Sequence, residues 1–305
     1  MKTAIEIENL AHNYGLVKAL KPLNMSIESG TLFGFIGPDG AGKTTLFRIL
    51  TSLLLPTQGK AKVLGLDVVN DFRKLRPLLG YMPGRFSLYQ DLTVEENLNF
   101  FAKLFKTSIE ENYHLIKDIY DQIAPFKNRL AGKLSGGMKQ KLALSCALIH
   151  KPDLLFLDEP TTGVDVVSRA EFWEMLRKLK NHGITIVVST PYMDEAALCD
   201  KVALIQKGKI LQTDSPQNIM ENFSKPLFSV KSINRNSLSK DIETFGKTDS
   251  FYWFGDSIHW IGSDDKDADL LRIYLQQKKH EDLEIEKINA SIEDCFMDLM
   301  KGNHE

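Results

Sequence analysis

The chain has 305 residues, 43% hydrophobic and 26% charged, with a formal net charge of −2, the profile of an ordinary folded protein long enough for two domains. From Lys225 onward there are 11 Lys and Arg against 16 Asp and Glu, leaving 27 against 24 before it, so neither part is a polybasic arm for nucleic acid or lipid. The three widely spaced cysteines make neither a disulfide framework nor a zinc site and suit a reducing cytosol, and no apolar run approaches the length of a membrane span.

The first eight residues, Met1 to Glu8, alternate like a strand and contain no apolar core of a signal peptide. Thr31 to Gly37 reads as a buried strand, and Leu46 to Leu50 as the opening of a helix. Between them, Gly37-Pro38-Asp39-Gly40-Ala41-Gly42-Lys43-Thr44-Thr45 fits the phosphate-loop pattern G-x-x-x-x-G-K-[ST] in the strand–turn–helix setting the pattern requires. Glycines let backbone N–H groups curl around an anion, and the helix N-terminus adds donors and a favourable dipole. Lys43 is then placed to reach the β- and γ-phosphates of a nucleotide, and the Thr44 hydroxyl to ligate Mg²⁺.

Residues 91 to 147 are mostly helical in pattern, and Thr93-Val-Glu-Glu-Asn97 reads as a helix start with acids in its first turn. Leu134-Ser135-Gly136-Gly137 opens a further helix, and Ser135 with the two glycine amides makes a second anion-binding element. Leu154 to Leu157 and Ile184 to Val188 read as buried parallel strands, with a helix over 168–181 between them. The first of these strands ends in Asp158-Glu159. Asp158 is positioned to hold Mg²⁺ through water, and Glu159 to orient or deprotonate an attacking water. Strands alternating with helices predict an α/β layer with a parallel sheet.

The character changes near Asn222 to Pro226. The residues beyond predict a separate α+β domain, for which a ferredoxin-like order is the natural pattern, with Ser291-x-x-Asp294 capping its last helix. Alternating aromatics Phe251, Trp253, Phe254 and Trp260 read as core or interface in preference to a nucleobase or drug platform.

Taken in order, GPDGAGKTT at 37–45, LSGGMKQ at 134–140, LLFLDEP at 154–160 and TTGVD at 161–165 resemble the nucleotide-binding subunits of ABC transporters. The resemblance covers residues 1 to about 220. It implies a P-loop NTPase core of ABC type over 1–222, a helical subdomain over about 85–147, and an accessory domain over 223–305. It also implies ATP and Mg²⁺ as ligands and Tyr14 as the ring stacked on adenine. A head-to-tail ATPase dimer would set Ser135-Gly136-Gly137 over the partner's nucleotide, with Asp165 helping to couple the two sites. The mechanical partner would be a membrane permease, engaged from the cytoplasmic face through a groove between core and helical subdomain. The C-terminal residues 290–297 are similar to the closing motif of multidrug exporters of the ABC-2 class, with Ala290 in place of proline.

Two positions depart from that family. Its glutamine after the strand ending in Pro83 is replaced by Gly84, and Gln90 is too far along to be assumed a substitute. Its histidine after the strand 184–190 is replaced by Pro191, while His182 lies at the wrong end. The expected consequence is slow turnover at this chain's own site, and either a homodimer or a heterodimer in which the intact Ser135-Gly136-Gly137 completes a second ATPase subunit's site. The alternative is a low-turnover regulatory or structural clamp that does not itself export.

Overall fold

Two five-residue strands, Leu32–Ile36 and Leu154–Asp158, apolar but for the closing Asp158, are buried at every position, because both faces of the sheet they enter are covered. That sheet has six strands, in the order Lys209–Asp214, Lys201–Gln206, Leu32–Ile36, Thr185–Thr190, Leu154–Asp158 and Leu79–Met82. All neighbours run parallel except the first pair. The computed structural model describes residues 2–301; Met1 and residues 302–305, the two ends of the expected domains, lie outside the described residues.

A second, antiparallel sheet carries Val17–Glu28, Thr3–Tyr14, Gln58–Val63 and Leu66–Asp67. The helix Lys43–Leu50 presents Leu46, Phe47, Ile49 and Leu50 to the core that both sheets share. Phe35, Phe47 and Phe156 meet edge-to-face there, with centroids 5.9 and 5.4 Å apart. The phosphate-loop helix is thus anchored by its own apolar face.

Three helices, Val94–Leu104, Ile109–Tyr120 and Gly136–Leu148, form the helical part of this unit. Thr93 and Glu96 make a capping box at the first, and Ser108 caps the second. Fully buried Asn97 accepts from the Tyr89 N–H and donates to the Tyr89 and Thr93 carbonyls, pinning the segment that leads into the helix.

The chain divides into two compact units, Met1–Ser215 and Pro216–Glu305. The second opens with the helix Pro216–Glu221. It then runs strand, helix, strand, strand, helix, strand through Leu227–Lys231, Arg235–Thr244, Thr248–Phe254, Ser257–Gly262, Asp267–Gln277 and Glu284–Lys287, and closes with the helix Ile292–Lys301. Its antiparallel sheet has the order Thr248–Phe254, Ser257–Gly262, Leu227–Lys231, Glu284–Lys287, a split-βαβ arrangement.

Fully buried Trp260 centres this unit's core with Leu271, Leu275 and Ile242, and its indole N–H donates to Thr248 Oγ1 at 3.0 Å. The aromatics do not share one platform. Phe251 packs on this core, whereas Phe254 stacks on His259 at 4.4 Å. Asp294, in the first turn of the last helix, accepts from Ser291, His259 and Tyr252. Burial pushes its carboxyl up, but the hydrogen bonds outweigh burial and hold it at about 2.

Candidate functional site

The strand Leu32–Ile36 leads directly into the glycine-rich turn. Gly40 and Gly42 have φ of +77° and +105°, the left-handed region that an L side chain resists. A Cβ at Gly42 would lie 2.6 Å from the Ala19 carbonyl oxygen, and one at Gly37 2.1 Å from that of Ile205, so both positions also need the missing side chain. The turn delivers Lys43 to the first position of its helix, 97% buried. Its ammonium donates to the Gly37 carbonyl at 2.7 Å and to that of Pro38 at 3.1 Å, and stands 3.2 Å from Glu159 Oε1.

Glu159 follows the strand Leu154–Asp158 and adopts φ +52°, a strained conformation for glutamate. Its N–H is held by the Ser189 carbonyl at 3.0 Å and the Ser189 hydroxyl at 3.1 Å. The same hydroxyl donates to Asp158 Oδ1 at 2.5 Å. Ser189 therefore orients both acids, and no sequence pattern singled it out.

A cavity of about 500 Å³ opens over the turn. It brings together Gly40, Gly42, Lys43, Thr44, Thr45 and Glu159. Three further cations, Lys18, Lys21 and Lys207, line it. They come from the strand Val17–Glu28 and from a turn far along the chain, so nothing local in the sequence marked them. Four lysines against one carboxylate give the cavity lining an excess of positive charge that favours a polyanion. Thr44, in the cavity lining, and Asp158, 2% exposed and outside that lining, carry hard oxygen donors of the kind Mg²⁺ takes. The residues present therefore fit a magnesium-bound nucleotide.

The other sequence-derived candidates do not line this cavity. Tyr14 ends its strand 45% exposed, its ring edge-on to His12 at 4.6 Å. Ser135 caps the helix Gly136–Leu148, accepting from the Met138 N–H at 3.3 Å. Asp165 caps the helix Val166–Asn181 by accepting from the Ser168 N–H at 3.0 Å, and those hydrogen bonds hold its carboxyl below the usual range. The two caps adjoin. A Cβ on Gly137 would sit 2.8 Å from Ser168 Oγ, and one on Gly136 3.1 Å from the Gly163 carbonyl oxygen.

Gly84 lies beside the acids, a Cβ there falling 3.0 Å from the Asp158 carbonyl oxygen. Gln90 is packed elsewhere, its carbonyl accepting from the Gly132 N–H at 3.0 Å. His182 ends the helix Val166–Asn181, and Tyr192 stacks under Arg169 at 4.2 Å.

A phosphate loop between a buried strand and a helix, an acid pair at the end of the next strand but one in the same sheet and a serine-capped Gly-Gly helix define a P-loop nucleotide-binding cassette. The chain belongs to the ATP-binding proteins of ABC transporters: the "ABC transporter" family model matches residues 20–162, and the chain is 37% identical over 211 residues to the ABC transporter ATP-binding protein NatA of Bacillus subtilis, covering 68% of this chain and 86% of that one. It is 39% identical over 289 residues to the probable multidrug ABC transporter ATP-binding protein YbhF of Escherichia coli, covering 93% of this chain and 49% of that one, so it spans about half the length of that relative. Among solved structures, the dimeric ATP-binding cassette MJ0796 bound to ADP and Pi matches with a TM-score of 0.63 and 25% identity, over 69% of this chain and 98% of that one. Among the described residues, no helix is long and apolar enough to cross a membrane.

Proposed function

We propose that this chain is the ATP-hydrolysing motor of an exporter, driving a separate permease of the ABC-2 type that moves a drug-like or lipophilic substrate. The observation that carries this reading is the cavity in which buried Lys43 and the left-handed Gly40 and Gly42 face the strand-end acid Glu159. The glycine amides and Lys43 hold the β- and γ-phosphates, and the exposed ring of Tyr14 stacks on the adenine. Thr44 and Asp158 hold Mg²⁺, which neutralises phosphate charge when bound. Ser189 ties the Asp158 carboxylate to the Glu159 backbone N–H, and Glu159 takes a proton from the attacking water.

Ser135-Gly136-Gly137 faces a second nucleotide in a head-to-tail dimer, because this helix start contributes nothing to the chain's own cavity. Gly84 and Pro191 supply no side-chain donor beside the acids, so turnover at this chain's own site is slow and a heterodimer with a second ATPase is favoured. The relatives' names give no support to a regulatory clamp that does not serve transport.

The permease docks in an apolar groove of about 210 Å³ between the strand Leu79–Met82 and the helices Val94–Leu104 and Gly136–Leu148. Phe86, Phe101 and Phe105 line it, and His150 stacks on Phe105 at 3.8 Å. The motor thereby sits on the inner face of the membrane. Co-expression with candidate permease and ATPase genes adjoining its own, followed by ATPase and efflux assays, tests the reading. ATP-dependent efflux lost in Phe101→Asp supports it, whereas efflux independent of this chain overturns it.

A further inference from the structure

Thr190 ends the strand beside the phosphate loop, and its carbonyl accepts from the Gly37 N–H at 3.2 Å. Its hydroxyl donates to Glu195 Oε2 and accepts from the Tyr192 N–H at 3.1 Å. Glu195 is only 2% exposed, and a carboxylate so buried is costly unless paired. Its partner is Arg169, whose Nε and Nη2 reach Glu195 Oε1 at 3.2 and 3.1 Å. The guanidinium also meets Asp194 at 3.3 Å and covers the Tyr192 ring. Arg169 stands in the first turn of the helix Val166–Asn181, where its N–H donates to the Asp165 carbonyl at 2.9 Å. Ser168, one residue before, abuts Gly137.

We infer that Arg169 is a positioning residue that couples the occupancy of this chain's own phosphate loop to the placement of Asp165 and Ser135-Gly136-Gly137. The inference rests on the head-to-tail reading for its purpose, but the contacts lie within one chain. The route is continuous: Gly37, Thr190, Glu195, Arg169, then the helix start against Gly137. It passes through the loop in which Pro191 stands, so a side-chain lock on the helix does the work of linking that loop to the rest of the site. A shift of the phosphate loop moves Thr190, which holds Glu195 Oε2, and the two guanidinium nitrogens that converge on Oε1 pass the shift to a helix end that has no other charged tie to this strand among the described residues.

The test compares the full chain with Arg169→Met, Glu195→Gln and Arg169→Lys. Hydrogen exchange is followed by mass spectrometry with and without a magnesium complex of a non-hydrolysable ATP analogue, and light scattering reports association. In the wild type, the analogue slows exchange over 37–45 and also over 134–140 and 165–169. In Arg169→Met and Glu195→Gln, protection over 37–45 persists with analogue affinity within about twofold, whereas protection over 134–140 falls about tenfold. Arg169→Lys, which keeps the charge but loses the fork, recovers part of it. Full protection over 134–140 in Arg169→Met overturns the inference. So does loss of analogue binding or of the folded spectrum in both Arg169→Met and Glu195→Gln, which makes the pair a structural brace. A wild type that never associates, yet shows the coupled protection, overturns the head-to-tail reading and leaves the coupling standing.

Discussion

Lys43 and Glu159 stand 3.2 Å apart although 116 residues separate them in the chain, and the lysine is the more buried of the two. The cation proposed to hold phosphate and the carboxylate proposed to take the water's proton therefore hold one another in place. A γ-phosphate arriving between them would compete with Glu159 for the ammonium, freeing the carboxylate to accept a proton.

Removing the lysine leaves the glycine amides but takes away the only buried cation of the cavity. Lys43→Ala is expected to raise the Kd for Mg·ATP at least about 100-fold, or ~2.7 kcal/mol. Isothermal calorimetry on both forms measures it, and equal affinities would remove the basis of the nucleotide reading.

Glu159→Gln keeps the shape of the acid and loses its basicity. Nucleotide affinity should hold while kcat falls about 10²–10⁴-fold, as for loss of a general base. The wild type itself should be slow, and Gly84→Gln with Pro191→His should speed it. A Cβ at residue 84 must displace the Asp158 carbonyl oxygen, 3.0 Å away, by a few tenths of an ångström, so Gly84→Ala serves as the steric control. Steady-state phosphate release decides the matter. A fast wild type would show that Gly84 and Pro191 do not limit the site.

Ser135→Arg places a long cation at a helix start that does not line this chain's own cavity. Binding of Mg·ATP to the isolated chain should change less than about twofold, while turnover of the assembled transporter should be lost. If the assembled mutant hydrolyses ATP at the wild-type rate, Ser135 is a helix cap and nothing more.

The second unit should weaken in acid through Asp294. Its carboxyl is held at about 2, below the ordinary aspartate value of 3.8, so the stabilisation is complete above about pH 5 and fades as the pH falls toward 2. Urea unfolding of the full chain from pH 5 to 2, followed by fluorescence of Trp253 and Trp260 on a Trp173→Phe background, reports the loss. Asp294→Asn should be less stable at neutral pH and flatter across the acid range. Parallel curves for the two proteins would assign the acid sensitivity to other groups.

How much of this was legible beforehand depended on sequence separation. The phosphate loop could be read because its strand, glycines, lysine and helix are contiguous, and each has a local physical requirement: apolar run, positive φ, cation, helix start. The acid pair was legible for the same reason, as two carboxylates at the end of a fully apolar strand. Ser189, Lys18, Lys21 and Lys207 carried no such signal. A serine inside a strand and exposed lysines on strands and turns are common, and their meaning depends on which strands become neighbours.

By itself, the sequence determined the local chemistry: an anion-binding turn, two strand-end acids, a serine-capped helix and a second domain opened by a change in pattern. Only the tertiary structure decided that Ser189 braces both acids, that four lysines converge on one cavity, and that Arg169 ties the start of its helix to buried Glu195 beyond the strand Thr185–Thr190. The physical reason is that backbone preferences and apolar periodicity act over a few residues. Parallel strands, by contrast, pair across crossovers of dozens of residues, and only sheet order brings Thr185–Thr190 between Leu32–Ile36 and Leu154–Asp158.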